Sequence, residues 1–185
     1  SLPENYEEMG RRMDIENYID YYVTEIFVNN NDWPQNNLEY WRARVPFNPN
    51  APKGQDGRWR WVIKDLDRSF GRIISNDFNM MNWATNGSSN WATSLFRNLL
   101  ENDEFKHMFI NRMADQLNSG FRKERILQLV DSIQTIMQPE VPEHTRRWNQ
   151  PSSLNAWLNR IQEVKNFVAV REGFVRQHIS DYFGL

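Results

Sequence analysis

The sequence contains no cysteine, which excludes a disulfide framework and thiolate metal sites while leaving the compartment open. It also lacks an excess of either charge. With 22 basic against 24 acidic residues, the strongly positive field that binds a phosphate backbone is missing, so no nucleic-acid partner is expected. No apolar run approaches the ~20 residues of a membrane helix, so no membrane span is expected in this chain. The opening Ser1-Leu2-Pro3-Glu4-Asn5 has neither the basic nor the apolar region of a signal peptide and reads as trimmed from a longer protein. Histidine is sparse: His107 and His178 fall on predicted helices, His144 falls in the proline-bounded stretch Pro142 to Thr145, and none has a partner at metal-ligand spacing. Aromatics, in contrast, are plentiful. Eight Trp, six Tyr and eleven Phe read as an aromatic core rather than a sugar-stacking surface.

Asp14 is a good N-cap, and Ile15, Tyr18, Ile19, Tyr22, Val23 and Ile26 follow at helical spacing, which predicts a core-facing helix over 15–28. The cluster Asn29-Asn30-Asn31-Asp32-Trp33-Pro34 then favours a loop. Two aromatic segments, Leu38 to Arg44 and Arg58 to Ile63, are expected to pair as an antiparallel hairpin. In the second, Trp59, Trp61 and Ile63 alternate with Arg58, Arg60 and Val62 at the period of a strand. Their Pro- and Gly-rich connection reads as a mobile surface loop.

From residue 94 the pattern becomes helical. Ser94 precedes Leu95, Phe96, Leu99 and Leu100; Asp103 precedes Phe105, Met108, Phe109, Met113 and Leu117, with Gly120 as the stop. A third stripe carries Ile126, Leu127, Val130, Ile133 and Met137, and a long fourth runs from Ser153 through Val175. All four stripes are expected to be core. Asn82-Trp83-Ala84-Thr85 recurs as Asn90-Trp91-Ala92-Thr93, too short an echo to make a repeat. The chain is therefore read as one domain, 1–185, with a hairpin part over 1–93 and a helical part over 94–185. Its class is α+β and mostly α: a helix and a β-hairpin packed on a bundle of about four helices.

The chemistry points to residues 29–71. Asp32 lies five positions before Asn37, and Asp65-Leu66-Asp67 begins two positions after the second segment. In an antiparallel pair the start of one strand lies beside the end of the other, which brings Asn37 close to Asp65. Mg²⁺ wants oxygen ligands and takes one or two carboxylates, with waters and substrate phosphates completing the shell. Asp65, Asp67 and Asn37 meet that demand as a metal set, and Asp32 is left to accept a proton from an attacking hydroxyl. Arg146 and Arg147 beside Trp148 are read as structural, a guanidinium packed on an indole.

The run Asn30-x-Asp32, Asn37 and Trp61-Val62-Ile63-Lys64-Asp65-Leu66-Asp67-Arg68-Ser69-Phe70-Gly71 resembles the kinase domain of the spore coat protein H family. The resemblance continues through Phe96 to Phe105, Phe121 to Ile126, Arg147-Trp148 and Phe167 to Arg171. It implies an atypical protein-kinase-like fold, similar to a kinase C-lobe, that transfers phosphate from ATP to protein Ser or Thr hydroxyls with Mg²⁺ or Mn²⁺. By the match, Asp32 resembles the catalytic-loop Asp. Asn37 resembles the metal-binding Asn after it, and Asp65 the Asp that holds the metal on the nucleotide, so Asn37 and Asp65 are also the cofactor-binding residues. Asp67 stands where ordinary kinases have glycine, and the resemblance implies a further metal contact there.

The family also points to a protein acceptor and to secreted or cell-surface proteins of bacteria. Two departures are Ile63-Lys64, where the family commonly has Pro-Trp, and a long connection from Val45 to Gly57. No Gly-rich loop precedes Asp14, so the nucleotide-covering lobe is expected to be absent and the fragment alone nearly inactive. Two rival readings are a pseudokinase or surface module that binds a glycan or protein, and a metal-dependent phosphoester hydrolase.

Overall fold

Asp14 caps helix α2, Ile15–Val28, by accepting the Asn17 main-chain N–H on its carboxylate at 3.2 Å. The computed structural model describes residues 3–86 and 91–185; Ser1, Leu2 and Asn90, named above, lie outside the described residues. The α2 helix is buried on more than the one expected face. Tyr18, Ile19, Tyr21, Tyr22, Val23, Ile26, Phe27 and Val28 are all covered, as befits a helix that is apolar nearly all round. It is the axis against which the hairpin, α5 (Asp103–Asn118) and α8 (Leu154–Phe183) pack.

The hairpin forms as expected but is short. Strand β1, Glu39–Trp41, pairs antiparallel with β2, Arg60–Val62, in the register Glu39 to Val62, Tyr40 to Trp61 and Trp41 to Arg60. The alternation in β2 hides a surprise. Trp61 lies edge-on to Tyr18 at 4.5 Å between centroids, yet Arg60 is the more deeply buried of the two. Its guanidinium bridges Asp14 at 3.0 Å and Asp56 at 2.7 Å. The connection expected to be mobile is tied down by that group. Asp56 is buried, takes both Arg60 terminal nitrogens and Arg58 Nε at 2.7 to 2.8 Å, and is held by these partners well below the usual carboxylate range. Gly57 allows the close approach at the loop's return: its φ is +78°, and a Cβ there would run into the Val45 carbonyl oxygen.

Helix accounts for 62% of the chain, so the class is α+β and mostly α. Helices α4 (Ser94–Leu100), α5 and α8 bury Phe96, Leu99, Phe105, Phe109, Met113, Phe167 and Val175, and Tyr22 stacks on Phe96 at 3.9 Å. The aromatic core is therefore present, although among the tryptophans Trp41, Trp59, Trp83, Trp91 and Trp148 stay largely exposed while Trp33 is wholly buried. Helix α6, Lys123–Met137, forms as predicted, but beyond Ile126, which packs against the core, its stripe is only partly covered. It buries no residue, and Ile133 and Met137 are about half exposed, because α6 sits at the edge of the bundle and packs chiefly on α8.

Three helices were not anticipated: α1 (Pro3–Arg12), α3 (Met80–Thr85) and α7 (Val141–Trp148). The α7 helix replaces the loop expected around His144. Pro142 stands in its first turn, where a missing N–H breaks no helical bond. Arg147 packs on the Trp148 ring at 4.8 Å and Arg146 pairs with Glu143, as the structural reading of those arginines requires. The echo of residues 82–85 is not structural either, since Trp91–Thr93 is a 3₁₀ turn.

The start of α5 also differs by one residue. Asp103 is inside the helix, and Asn102 is the cap, its side chain accepting the Phe105 N–H at 3.0 Å. Asn102→Ala is expected to lower stability by about 1 kcal/mol, whereas Asp103→Ala, at an exposed first-turn position, should stay within about 0.5 kcal/mol. Urea unfolding midpoints of the two variants check the assignment.

Candidate functional site at the mouth of the hairpin

Two loops meet beyond α2 and β2. The first, residues 29–38, leaves the end of α2; the second, 63–71, leaves β2. Main-chain bonds join them: the Phe70 N–H donates to the Val28 carbonyl at 2.8 Å and the Asn31 N–H to the Arg68 carbonyl at 3.3 Å. Asn37 Nδ2 donates to the Asp65 carbonyl oxygen at 3.4 Å, so the pairing expected from the hairpin occurs. Lys64 and Glu39 close the same mouth across the strands at 3.1 Å.

Backbone strain collects here. Asn37, Asp65 and Phe70 have φ of 59°, 53° and 56°, in the left-handed region that side chains other than Asn and Asp rarely adopt. Gly71 follows at φ +76°, and a Cβ on it would collide with the Asn76 side chain and crowd Phe167. The positive φ is what favours Gly after Phe70, whose ring meets Phe167 edge-on at 5.5 Å.

The carboxylates share one field. Asp65 is exposed, and its pKa is raised first by its hydrogen bond with Asp67, then by the charge of Asp67, with a smaller contribution from Asp32. Asp32 itself is half-buried and pairs with Arg68 Nε at 3.3 Å. Asp67 is more loosely held, its carbonyl accepting from Arg72 at 3.0 Å. Among the described residues no group of three or more His, Cys, Asp or Glu gathers as a ready-made metal site. Asp65, Asp67 and the Asn37 amide oxygen nonetheless suit Mg²⁺, which needs one or two carboxylates beside phosphates and waters. The repulsion that raises Asp65 is what a bound divalent cation would relieve.

Residues for which the sequence pattern implied no role in the site support these loops from below. Arg171, on α8, is wholly buried and its guanidinium donates to four carbonyls: Ile26 at 2.7 Å, Phe27 at 2.9 Å, Asn76 at 2.8 Å and Phe78 at 2.9 Å. Burial lowers its pKa to about 10, which keeps it cationic at neutral pH. A signal existed, because Arg171 falls on the apolar stripe of Phe167, Val168 and Val175 where a cation has no place unless it is bonded. Asn29 Nδ2 donates to the Ser75 carbonyl at 3.0 Å, and the Trp83 indole donates to the Trp33 carbonyl at 3.2 Å.

These loops and their support define a mostly helical α+β protein with an acidic two-loop site at one end of a short hairpin. The chain matches the family model described as CotH kinase protein over residues 2–175 and belongs to that family, a class of kinase-like proteins. No curated protein and no solved structure matches it.

Proposed function

We propose that the protein is an atypical kinase-like phosphotransferase that moves the γ-phosphoryl group of ATP to a Ser or Thr hydroxyl of a protein acceptor. Asn37, Asp65 and Asp67 would hold Mg²⁺ or Mn²⁺ on the nucleotide phosphates, and Asp32 would serve the hydroxyl. The observation that carries this reading is the contact between Asn37 and Asp65, which joins the Asp32 loop to the Asp-Leu-Asp loop at one point. Family membership supports the same class.

In this reading the hydroxyl oxygen bonds to the γ-phosphorus, the bond to the ADP oxygen breaks, and the hydroxyl proton passes to the Asp32 carboxylate. The metal ion supplies neutralising charge to the phosphates. Arg68 pairs with Asp32, and the Asn37 side chain, by bonding the Asp65 carbonyl oxygen, keeps the two loops together. A phosphoryl transition state has little covalent chemistry for the protein to perform, so positioning of this kind is the larger part of catalysis.

Calorimetric titration of Mn²⁺ into this chain, with and without ATP, tests the site. Binding should tighten when ATP is present and fall by about a hundredfold in Asp65→Ala, by analogy with the loss of one preorganised electrostatic group. Equal binding by the wild-type chain and the variant would remove Asp65 from the site and the proposal with it.

A further inference from the structure

Glu25 sits in the last turns of α2, wholly buried beside Tyr21 and Tyr22. One carboxylate oxygen, Oε2, accepts from Asn30 Nδ2 at 3.0 Å; the other, Oε1, has no hydrogen-bond partner. Asn30 is equally buried, and its Oδ1 accepts the main-chain N–H of Asp32 at 3.2 Å. Its carbonyl also accepts the Trp33 N–H at 3.3 Å. Two consecutive hydrogen bonds therefore link a carboxyl in the core to the backbone of the residue that the proposed chemistry uses as base.

The direction of this link is set by hydrogen-bond chemistry. A carboxylate only accepts, so Asn30 must turn its NH₂ toward Glu25. That orientation points its oxygen at the Asp32 N–H; the flipped amide would set NH₂ against N–H. Glu25 thus selects the amide orientation, and the amide holds the loop. A buried carboxyl with one bare oxygen is unfavourable for folding, and among the described residues no ion pair offsets it.

We propose that Glu25 is a positioning residue of the site, fixing the main chain at Asp32 through Asn30; the inference rests on reading Asp32 as the base. Burial raises the Glu25 carboxyl to about 7, against a lowering effect of the Asn30 bond. The titratable and charged groups around it are Tyr21 and Tyr22 on its own helix, both raised and so neutral near pH 7, Arg97 of α4 acting on Tyr22, and the Asp32 and Arg68 pair of the two loops. Glu25 is thus the group whose charge changes in that range.

The test is a pH titration of the isotope-labelled chain by nuclear magnetic resonance, reading the Glu25 carboxyl carbon, the Asn30 side-chain NH₂ and the Asp32 N–H. All three should move with one shared midpoint near pH 7. In Glu25→Gln the movement at Asn30 and Asp32 should vanish. In Asn30→Ala the Glu25 midpoint should rise, as its N–H donor is gone, while the Asp32 N–H stops following it. Independent midpoints, or an Asp32 N–H that still titrates in either variant, would overturn the relay. A second readout is the rate of phosphate transfer by the full-length protein, where Glu25→Gln should lower kcat about tenfold at unchanged KM for ATP. The two readings fail separately. A large rate loss in Asp32→Asn with no shared titration overturns the relay alone, and a shared titration with Asp32→Asn fully active overturns the base alone.

Discussion

Asp32→Asn is expected to cut phosphate transfer about a thousandfold while leaving the affinity for Mn²⁺ and ATP within about twofold, the range expected when a positioned general base is lost. The substitution is nearly isosteric and keeps the main-chain N–H that Asn30 holds, so the loop has no reason to move. An amide oxygen at that position still faces Arg68 but cannot take up the hydroxyl proton. Because Asp32 touches no proposed metal ligand directly and acts on Asp65 only as a lesser charge, removing it should spare nucleotide binding. Asp65→Ala should do the opposite and weaken binding first. Transfer of labelled phosphate from ATP to a protein acceptor by the full-length protein, measured beside calorimetric binding, separates the two. Full transfer by Asp32→Asn would assign the base elsewhere, and phosphate release to water without any acceptor would favour a hydrolase.

Arg171→Met is expected to destabilise the fold by about 3 to 5 kcal/mol, a large share of the roughly 5 to 15 kcal/mol that holds an ordinary domain together. Methionine fills much of the same space, so the loss is not chiefly one of packing. It comes from four carbonyls, of Ile26 and Phe27 in the core and of Asn76 and Phe78 in part-buried positions, that lose their donors at once. Arg171→Lys keeps the charge but has three donors on one nitrogen instead of a planar fork, so it should recover only part of the loss. Guanidinium unfolding midpoints give the order wild type, then Lys, then Met. If Arg171→Met unfolds like wild type, the guanidinium does not hold these segments.

Much of this architecture is written locally. Asp14 with the stripe from Ile15 to Ile26 specifies α2 to the residue, because capping and periodicity act over a few positions. The meeting of Asn37 and Asp65 was legible for a similar reason: antiparallel pairing alone brings strand start and strand end together. What escaped is what depends on distant partners. The Arg60 position looked like the solvent side of a strand and is buried, because Asp14 and Asp56 come from elsewhere to neutralise it. The α6 stripe looked like core and is half bare, because periodicity shows which face is apolar and not whether a neighbour covers it. Glu25 was hidden within an apolar pattern that its single charge did not break, whereas Arg171 lay in a segment of the resemblance and its carbonyl partners, far off in sequence, gave no local sign of its task.

The span of the Arg171 clamp also sets an order in time. Its link to Ile26 joins residues 145 apart. On a ribosome, the end of α2 and residues 76–78 emerge long before α8 can dock and bridge them. Until then the end of α2 and residues 76–78 lack the buried guanidinium that bridges them, whatever the Asn29 bond to the Ser75 carbonyl already holds. A nascent chain therefore completes the support beneath its acidic loops only once α8 has been made.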